Sequence, residues 1–364
     1  MKLNRILASS RARRGVGLTG AIATLALLAC STTAQPLSES GSLSEEGSDE
    51  ADEGADETGD DDRGDEDDDD GSEVDDGAPF DVGGSDGPTD PTPGIFPECP
   101  RPLPSQWVFC ADFEDDTDLA ETFFEYQDAD GAFVPVEGDA ASGLRSMEAT
   151  YEEGVEGAGW LSVAFGRNPI VFGAAPHYAE GSDFQEIFWR MRVQTEPGWP
   201  DVGPHHLSRA AAFAAEDWLQ AMAVRLRSDG DGTVLVADPT SCVNGDAVAC
   251  SAYEDVDAET SLGALAGAFP LFSSAESGEW HCVEAHVVLN TPNLPEGETP
   301  DGVLEFWIDD ELQNARYDLD WRGDWSGYGL NLVTIDNRWT GGAPKQLRRK
   351  VDDLVISTER IGCD

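Results

Sequence analysis

One short segment of the sequence combines the residue types that acid and base chemistry requires. His205, His206 and Arg209 fall within residues 203–209, next to a loop rich in proline and glycine. An imidazole exchanges protons near neutral pH, and a guanidinium neutralises a carboxylate. Together with the phenol of Tyr328, these side chains could remove a proton beside a carboxyl group and protonate a leaving oxygen. The alternative is that both histidines are loop residues and that Tyr328 packs in a sheet.

A second set of basic residues has the spacing of a β-strand face. Arg190 and Arg192 are two residues apart, as are Arg225 and Arg227. Side chains at this spacing point to the same side of a strand. If these faces line a concave surface, they form a small basic floor in an acidic protein. The alternative is that each arginine pairs with a surface carboxylate.

Tryptophan and amide side chains provide groups that bind sugars. An indole ring stacks on the apolar face of a sugar, and an amide hydrogen-bonds to its hydroxyl groups. We therefore predict a carbohydrate-binding surface with the following members: Arg190, Arg192, Arg225, Trp321, Trp325, Asn331, Asn337 and Trp339. Other tryptophans lie within strand patterns and are expected in the core: Trp160, Trp189, Trp280 and Trp307.

The folded part that must position these residues has the period of β-strands. Apolar residues alternate, or run together, between turn residues. This pattern predicts strands at 186–195, 220–227, 233–237, 280–289, 303–308, 328–335 and 351–358. Asp309 and Asp310 predict a tight hairpin turn, and a helix is expected only around 210–218. Such a chain must stack two antiparallel sheets to bury its strand faces, so the predicted fold class is all-β.

Four segments of this pattern resemble the concanavalin A-like lectin/glucanase jelly roll. They are WVFCADFE at 107–114, GEWHCVE at 278–284, DGVLEFWID at 301–309 and VDDLVIS at 351–357. The arrangement looks closest to the polysaccharide-lyase-like and laminin-G-like branches. The resemblance implies a two-sheet antiparallel jelly-roll sandwich with a concave sheet available for a glycan. These segments mark the fold and not a catalytic site, so the site must decide the function.

The resemblance also implies that the first and last strands are neighbours and hold a structural Ca²⁺ between them. Asp112 and Glu114 near the start, with Asp352 or Asp353 near the end, would supply the hard oxygen ligands that calcium prefers. The alternative is that these carboxylates are surface charge in an acidic protein.

The catalytic patterns of two enzyme groups with this fold are absent after residue 95. Neither the Glu-x-Asp-x-x-Glu strand of laminarinase-type glucanases nor the alginate-lyase combination of Arg-x-Glu-x-Arg, Gln-x-His and Tyr-Phe-Lys occurs. A retaining glycosidase is not expected, because its two carboxylates must stand close together. The sequence therefore favours a lectin-like domain that binds polysaccharide. Two alternatives stay open: a polysaccharide lyase built on His205, His206, Arg209 and Tyr328, and an adhesion or structural module with a protein partner.

The first residues have the pattern of a bacterial export signal that ends in a lipidated cysteine. Basic residues precede an apolar run that is too short to span a bilayer and that stops at Leu-Ala before Cys30. This end resembles a lipobox, in which residues 1–29 are removed and Cys30 receives acyl chains. Ser31 resembles the sorting residue of lipoproteins sent to the outer membrane. We expect a lipid-anchored protein of the outer membrane or cell surface; the alternative is a plain secretory leader.

An acidic segment of low complexity separates this leader from the folded part. Residues 30–94 are rich in Asp, Glu, Ser and Gly, and Arg63 is their only basic residue. They cannot bury enough apolar area to fold, and their charges repel one another. The sequence therefore predicts a disordered tether at 30–94, followed by one domain at 95–364.

Charge and cysteine content narrow the partners and the compartment. The chain has 22 Lys and Arg against 73 Asp and Glu, a net charge of −51, which repels nucleic acid. Six cysteines follow Cys30, and an even number in an exported chain indicates disulfides; zinc is the alternative, although Cys-x-x-Cys is absent. Cys242 with Cys250 is the predicted pair, and we expect a monomer. The pairing of the other four stays open: Cys99, Cys110, Cys282 and Cys363.

Overall fold

The computed structural model describes residues 98–115, 117–250 and 258–363. The predicted leader, the lipidation site Cys30 and the tether at 30–94 lie outside the described residues. Within these ranges, no helix has the length and apolar character that crossing a membrane requires.

The described residues form one short helix and a long series of strands. The helix, α1, is Leu119–Thr122. The first strands are β1 Trp107–Ala111, β2 Glu125–Gln127, β3 Phe133–Glu137, β4 Arg145–Tyr151, β5 Gly157–Phe165, β6 His177–Tyr178, β7 Glu186–Thr195, β8 His206–Phe213, β9 Gln220–Ser228 and β10 Leu235–Ser241. The remaining strands are β11 Val243–Asn244, β12 Ala247–Val248, β13 Thr260–Ser261, β14 Leu265–Ala266, β15 His281–Val288, β16 Gly302–Ile308, β17 Glu311–Leu319, β18 Leu332–Arg338 and β19 Leu347–Ser357.

Two large antiparallel sheets are built from these strands. Sheet A has the order β17-β16-β15-β7-β19-β4-β3, and β1 pairs with β19 at its side. Sheet B has the order β13-β10-β9-β8-β18-β5-β2, with β14 on β10 and β6 on β5. The first strand β1 and the last strand β19 are therefore neighbours, as the resemblance implied. The all-β prediction of a two-sheet antiparallel jelly-roll sandwich is confirmed.

The core lies between the two sheets and is filled by alternate strand residues. Leu161 and Val163 of β5, and Trp189 and Met191 of β7, belong to one continuous buried cluster with no exposed surface. Each large apolar side chain buried in this way stabilises the fold by about 1.5–3 kcal/mol. Because one face of every central strand is used in the core, the other face is left for solvent or for a ligand.

The helix expected around 210–218 is wrong, because β8 extends from His206 to Phe213 and a turn follows it. Ala210 and Ala212 face the core, whereas Ala211 and Phe213 lie on the opposite side of the sheet. Alanine favours a helix in isolation, but here the strand is held between β18 and β9. Tertiary pairing has overridden the local preference.

Two local predictions are confirmed. Asp309 and Asp310 connect β16 to β17 with φ of 50° and 65°, which is the left-handed backbone of a tight hairpin turn. Cys242 and Cys250 form a disulfide, as predicted. The other four cysteines pair as Cys99–Cys110 and Cys282–Cys363.

Candidate functional site

The outer face of sheet B, which points away from the core, carries a row of polar side chains. Successive strands place these residues directly opposite one another in the register of the sheet. From β2 across to β10 the row reads Glu125, Ser162, Thr334, Arg209, Arg225 and Asp238. A row that crosses six strands suits an extended ligand lying across the sheet.

A cleft of about 470 Å³ opens over one half of this face, and we refer to it as the cleft. Its lining residues are Glu125, Glu156, Gly157, Gly159, Trp160, Arg209, Trp218, Thr334, Asp336, Asn337 and Arg338. The volume is within the range of small-molecule sites, and the mixture of aromatic and charged groups is typical of them.

His206 and Asp336 form a pair beside the cleft. Nδ1 of His206 lies 3.2 Å from Oδ2 of Asp336, and both side chains are mostly buried. Burial opposes ionisation of Asp336, but the hydrogen bond to His206 and the charges of Arg209 and Arg349 outweigh it, so the pKa of Asp336 is lowered. An ionised Asp336 accepts a hydrogen bond from Nδ1–H of His206. When the imidazole of His206 is neutral, its Nε2 is then the nitrogen that can accept a proton. This is the arrangement of a carboxylate that orients a histidine base.

Arg209 lies at the centre of the polar row and lines the cleft. It stands opposite Thr334 on one side and opposite Arg225 on the other. The residue is only 3% exposed, so its charge acts where water is largely excluded. A guanidinium in such a place can bind a carboxylate strongly.

Glu125 lies at the β2 end of the row and has the opposite character to Asp336. Burial raises its pKa, although a hydrogen bond from Ser162 and the charge of Arg209 act against this shift. The Ser162 hydroxyl lies 3.4 Å from Oε2 of Glu125 and 3.0 Å from the hydroxyl of Thr334. Two carboxyl groups whose pKa values are displaced in opposite directions are a feature of acid–base sites.

Two tryptophans form aromatic walls of the cleft. Trp160 is 41% exposed on the outer face of β5, so the prediction that it packs in the core is wrong. Its neighbours Leu161 and Val163 fill the core, and strand alternation turns Trp160 outward. Trp218 has φ of 65°, which is rare for a bulky residue, and contacts Phe124, Phe172 and Phe213.

The other half of the face is occupied by ion pairs. Arg225 contacts both carboxylate oxygens of Glu259, at 2.6 and 2.8 Å. Arg227 donates to Asp238 at 2.9 Å. Arg225 and Arg227 therefore share one face, as their spacing predicted, and their partners come from β10 and from the segment in front of β13.

The structure separates the four residues of the predicted lyase site. His206 and Arg209 face the same side of β8, but His205 is fully buried and packs against Phe272 and Trp339. Burial, with the nearby charge of Arg349, lowers the pKa of His205 well below its usual value. As a core residue it cannot reach a ligand.

Tyr328 lies at the far end of β18 from the His206–Asp336 pair. It lies four residues before the first residue of β18, Leu332, whereas Asp336 is near the last, Arg338. The Arg167 guanidinium stands 4.9 Å from the centre of its ring. Tyr328 is therefore not part of the cleft.

Arg190 and Arg192 lie on the outer face of sheet A, not on sheet B. Arg190 pairs with Glu98 and donates to the carbonyl of Gly362. Arg192 donates to the carbonyl of Cys363 at 2.7 Å. Their contacts hold the two ends of the described domain, so they are not positioned to bind a ligand in the cleft.

The predicted sugar-binding tryptophans and amides are mostly structural. Trp321 and Trp339 are at most 1% exposed, and Trp325 is 9% exposed. Asn331 exchanges hydrogen bonds with the backbone of Phe213, and Asn337, although it borders the cleft, bonds inward to Gly159 and Arg349. Their positions in or near loops suggested exposure, but these loops fold back onto the core.

Three of the four predicted calcium ligands already accept hydrogen bonds from backbone N–H groups. Asp112 accepts from Cys99, Glu114 from Leu144 and Arg145, and Asp352 from Ala141. Among the described residues, no three His, Cys, Asp or Glu side chains converge as metal ligands do.

Asp353 is the member of this group that best fits a cation. It is fully buried, its φ of 51° lies at a bulge in β19, and Oδ2 has no hydrogen-bond donor. Arg192 supplies a positive charge at 3.4 Å. Burial raises the pKa of both Asp352 and Asp353, so each carboxylate gains from a nearby cation.

The important residues that the sequence interpretation missed are Glu125, Trp160, Asp336 and Glu259. The alternation in GAGWLSVAF at 157–165 contains the signal for Trp160, because an inward Leu161 and Val163 require an outward Trp160. Glu259 gives no such signal, since only the folded chain brings it to Arg225.

No protein-family model matches the chain, and no curated protein matches it. Solved structures that are similar include an endo-β-1,4-glucuronan lyase from the fungus Trichoderma reesei, with 12% identity and a TM-score of 0.46 over 70% of this chain and 96% of that chain. An alginate lyase from Aplysia kurodai has 15% identity and a TM-score of 0.48 over 70% and 100%. The cellulose-induced protein Cip1 has 14% identity and a TM-score of 0.41 over the same shares.

The class of the domain follows from its own strand order. Two stacked antiparallel sheets, with the first and last strands side by side, form a jelly-roll sandwich. Within that class, this chain is a sandwich with a polar, tryptophan-walled cleft on the outer face of sheet B.

Proposed function

We propose that the protein is a polysaccharide lyase that acts on uronic-acid polysaccharides in the cleft. The observation that carries the proposal is that Arg209 and Asp336 line an open cleft and that Asp336 is paired with His206 beside it. A base and a group that neutralises a carboxylate are the two requirements for removing the C5 proton of a uronic acid.

The reaction assigns one role to each group. Arg209 binds the uronate carboxylate and stabilises the charge that develops on it as Nε2 of His206 takes the C5 proton. The electron pair of the C5–H bond forms a double bond between C4 and C5, and the bond from C4 to the glycosidic oxygen breaks. Glu125, whose pKa is raised by burial, gives a proton to that oxygen. The products are a new chain end and an unsaturated uronate.

The aromatic walls position the chain. Trp160 presents an exposed indole face beside Asp336, its neighbour in the sheet register, and sugar rings stack on such faces. The same feature supports a second candidate function, a lectin-like domain that binds polysaccharide without cleaving it.

The test is the absorbance of the unsaturated uronate during incubation with a panel of uronic-acid polysaccharides. We expect a rising signal with the wild-type protein and its loss in His206→Gln. The matched control is His286→Gln, which alters a histidine on sheet A between Glu186 and Glu305 and should keep the activity. A flat trace for the wild-type protein, together with binding, would favour the lectin.

We also propose that the protein is a lipoprotein of the bacterial outer membrane or cell surface, anchored at Cys30 and monomeric. The basic start, the short apolar run and the Leu-Ala-Cys end support this proposal. Labelling of cells with a radioactive fatty acid tests it: label should enter the wild-type protein and not Cys30→Ser. Elution at the monomer mass in gel filtration tests the assembly state.

A structural Ca²⁺ is the third proposal, with Asp352 and Asp353 as its carboxylate ligands. The buried oxygen of Asp353 without a donor supports it, because calcium prefers hard carboxylate and carbonyl oxygens. The ion would join β19 to the loop before β4 and so stabilise the edge of the domain.

A further inference from the structure

Residues 258–262, which we term the strap, lie beside β10 at one end of the polar row. The strap joins sheet B through β13, whose Thr260 and Ser261 are both exposed. Glu259 directly precedes β13 in the sequence, and its side chain contacts Arg225 and is only 5% exposed. A short, exposed strand thus delivers one buried carboxylate to the outer face of sheet B.

This carboxylate is held in the geometry with which a guanidinium recognises a ligand. Its two oxygens accept from Nη1 and Nη2 of Arg225 in parallel bonds, and Gln220 donates to one of them at 3.2 Å. Arg225 stands directly opposite Arg209 in the β8–β9 register, a Cβ separation of roughly 5 Å. Glu259 therefore holds a carboxylate on Arg225, the direct cross-strand neighbour of the arginine that lines the cleft.

We propose that Glu259 is a specificity residue that fills, with its own carboxylate, the place where a second acidic sugar would bind. The cleft then accepts a uronate at Arg209 followed, on the Arg225 side, by a neutral sugar, and it rejects two adjacent uronates. An incoming second carboxylate meets the negative charge of Glu259, and displacing a buried, bidentate ion pair is costly. The inference rests on the proposed function in that Arg209 receives a uronate.

The experiment compares two ligands on the full-length protein. One is a hexasaccharide made of uronates alone, and the other alternates uronate with a neutral sugar. Binding is measured by titration calorimetry, and initial rates of cleavage are measured in parallel. Relative to wild type, Glu259→Gln should bind the all-uronate ligand about tenfold more tightly and the alternating ligand within about twofold.

Two controls identify the cause of the change. Glu148→Gln removes the same charge on sheet A, where Glu148 stands 3.6 Å from Arg348, and should leave both affinities unchanged. Arg225→Gln combined with Glu259→Gln should lose the gain, because the group that receives the second carboxylate is gone. If Glu259→Gln does not fold, Glu259→Asp keeps the charge but cannot reach Arg225 with both oxygens, and it should show a smaller gain.

The outcomes separate this inference from the proposed function. Cleavage by the wild-type protein with an unchanged ligand preference in Glu259→Gln overturns the inference alone. A shifted binding preference without cleavage in any variant supports the inference and overturns the lyase. Binding of neither ligand by any variant overturns both.

Discussion

The Asp336→Asn variant tests whether the carboxylate beside His206 positions the base. The amide has the same shape but no charge, and His206 and Asp336 are in hydrogen-bond contact at 3.2 Å, with both side chains less than a fifth exposed. A hydrogen bond to a charged group contributes about 1.5–3 kcal/mol. If that amount is lost in the transition state, kcat falls by about ten- to a hundredfold. KM should change little, because Arg209 and Trp160 still bind the chain.

The assay is the initial rate of absorbance increase from the unsaturated uronate, over a range of substrate concentrations. Asp183→Asn is the matched control, since Asp183 pairs with Arg167 at 3.2 Å on the exposed surface and should keep the wild-type rate. A wild-type kcat in Asp336→Asn would refute the role of this carboxylate as a positioning group.

We also expect the stability that Asp336→Asn loses to depend on pH. The pKa of Asp336 is lower in the folded protein than in the unfolded chain, where it is about 4. The ionised carboxylate therefore stabilises the native state at pH values above the unfolded pKa. This stabilisation is lost as pH falls through the folded pKa. The loss of stability in Asp336→Asn should therefore be about 1–2 kcal/mol at pH 7 and should shrink below about pH 4. Urea unfolding at a series of pH values measures it, and a difference independent of pH would contradict the reasoning.

Three further predictions follow from other features. Trp160→Ala should weaken oligosaccharide binding, measured by calorimetry, about tenfold, because a stacking face is lost. The melting temperature should stay within about 2 °C of the wild-type value, because Trp160 is 41% exposed. Replacing Cys282 and Cys363 by serine, which opens a link of 81 residues, should lower the free energy of unfolding in urea by about 4 kcal/mol; no change would mean that the link does not restrict the unfolded chain. Calcium should raise the melting temperature of the chelator-treated protein, and Asp353→Asn should remove this response; an equal response in both would exclude that ligand.

Period-two alternation was enough to predict the sandwich but not the site. The strand predicted at 186–195 is β7 of the structure, and its alternate residues Ile187, Trp189, Met191 and Val193 belong to the core. In β8 the register shifts between His206 and Ser208, so that His206 and Arg209, although three residues apart, lie on the same side of the strand. Alternation contains no signal for such a bulge.

The partners in the site are also remote in sequence. His206 and Asp336 are 130 residues apart, and Arg225 and Glu259 are 34 apart. Only the order of strands in sheet B brings them together, and one sequence does not specify that order. The spacing of Arg225 and Arg227 predicted their shared face correctly, but it could not reveal the carboxylates that neutralise them.

Both ends of the described domain are fixed on the side opposite the cleft. Glu98 pairs with Arg190 and Cys363 is bound to Cys282, and these contacts lie on the outer face of sheet A, whereas the cleft opens on the outer face of sheet B. A linker, a tag or a solid support joined to either end therefore leaves the cleft unobstructed. The domain is thus suited to immobilisation in an oriented layer, with every cleft turned toward the polymer in solution.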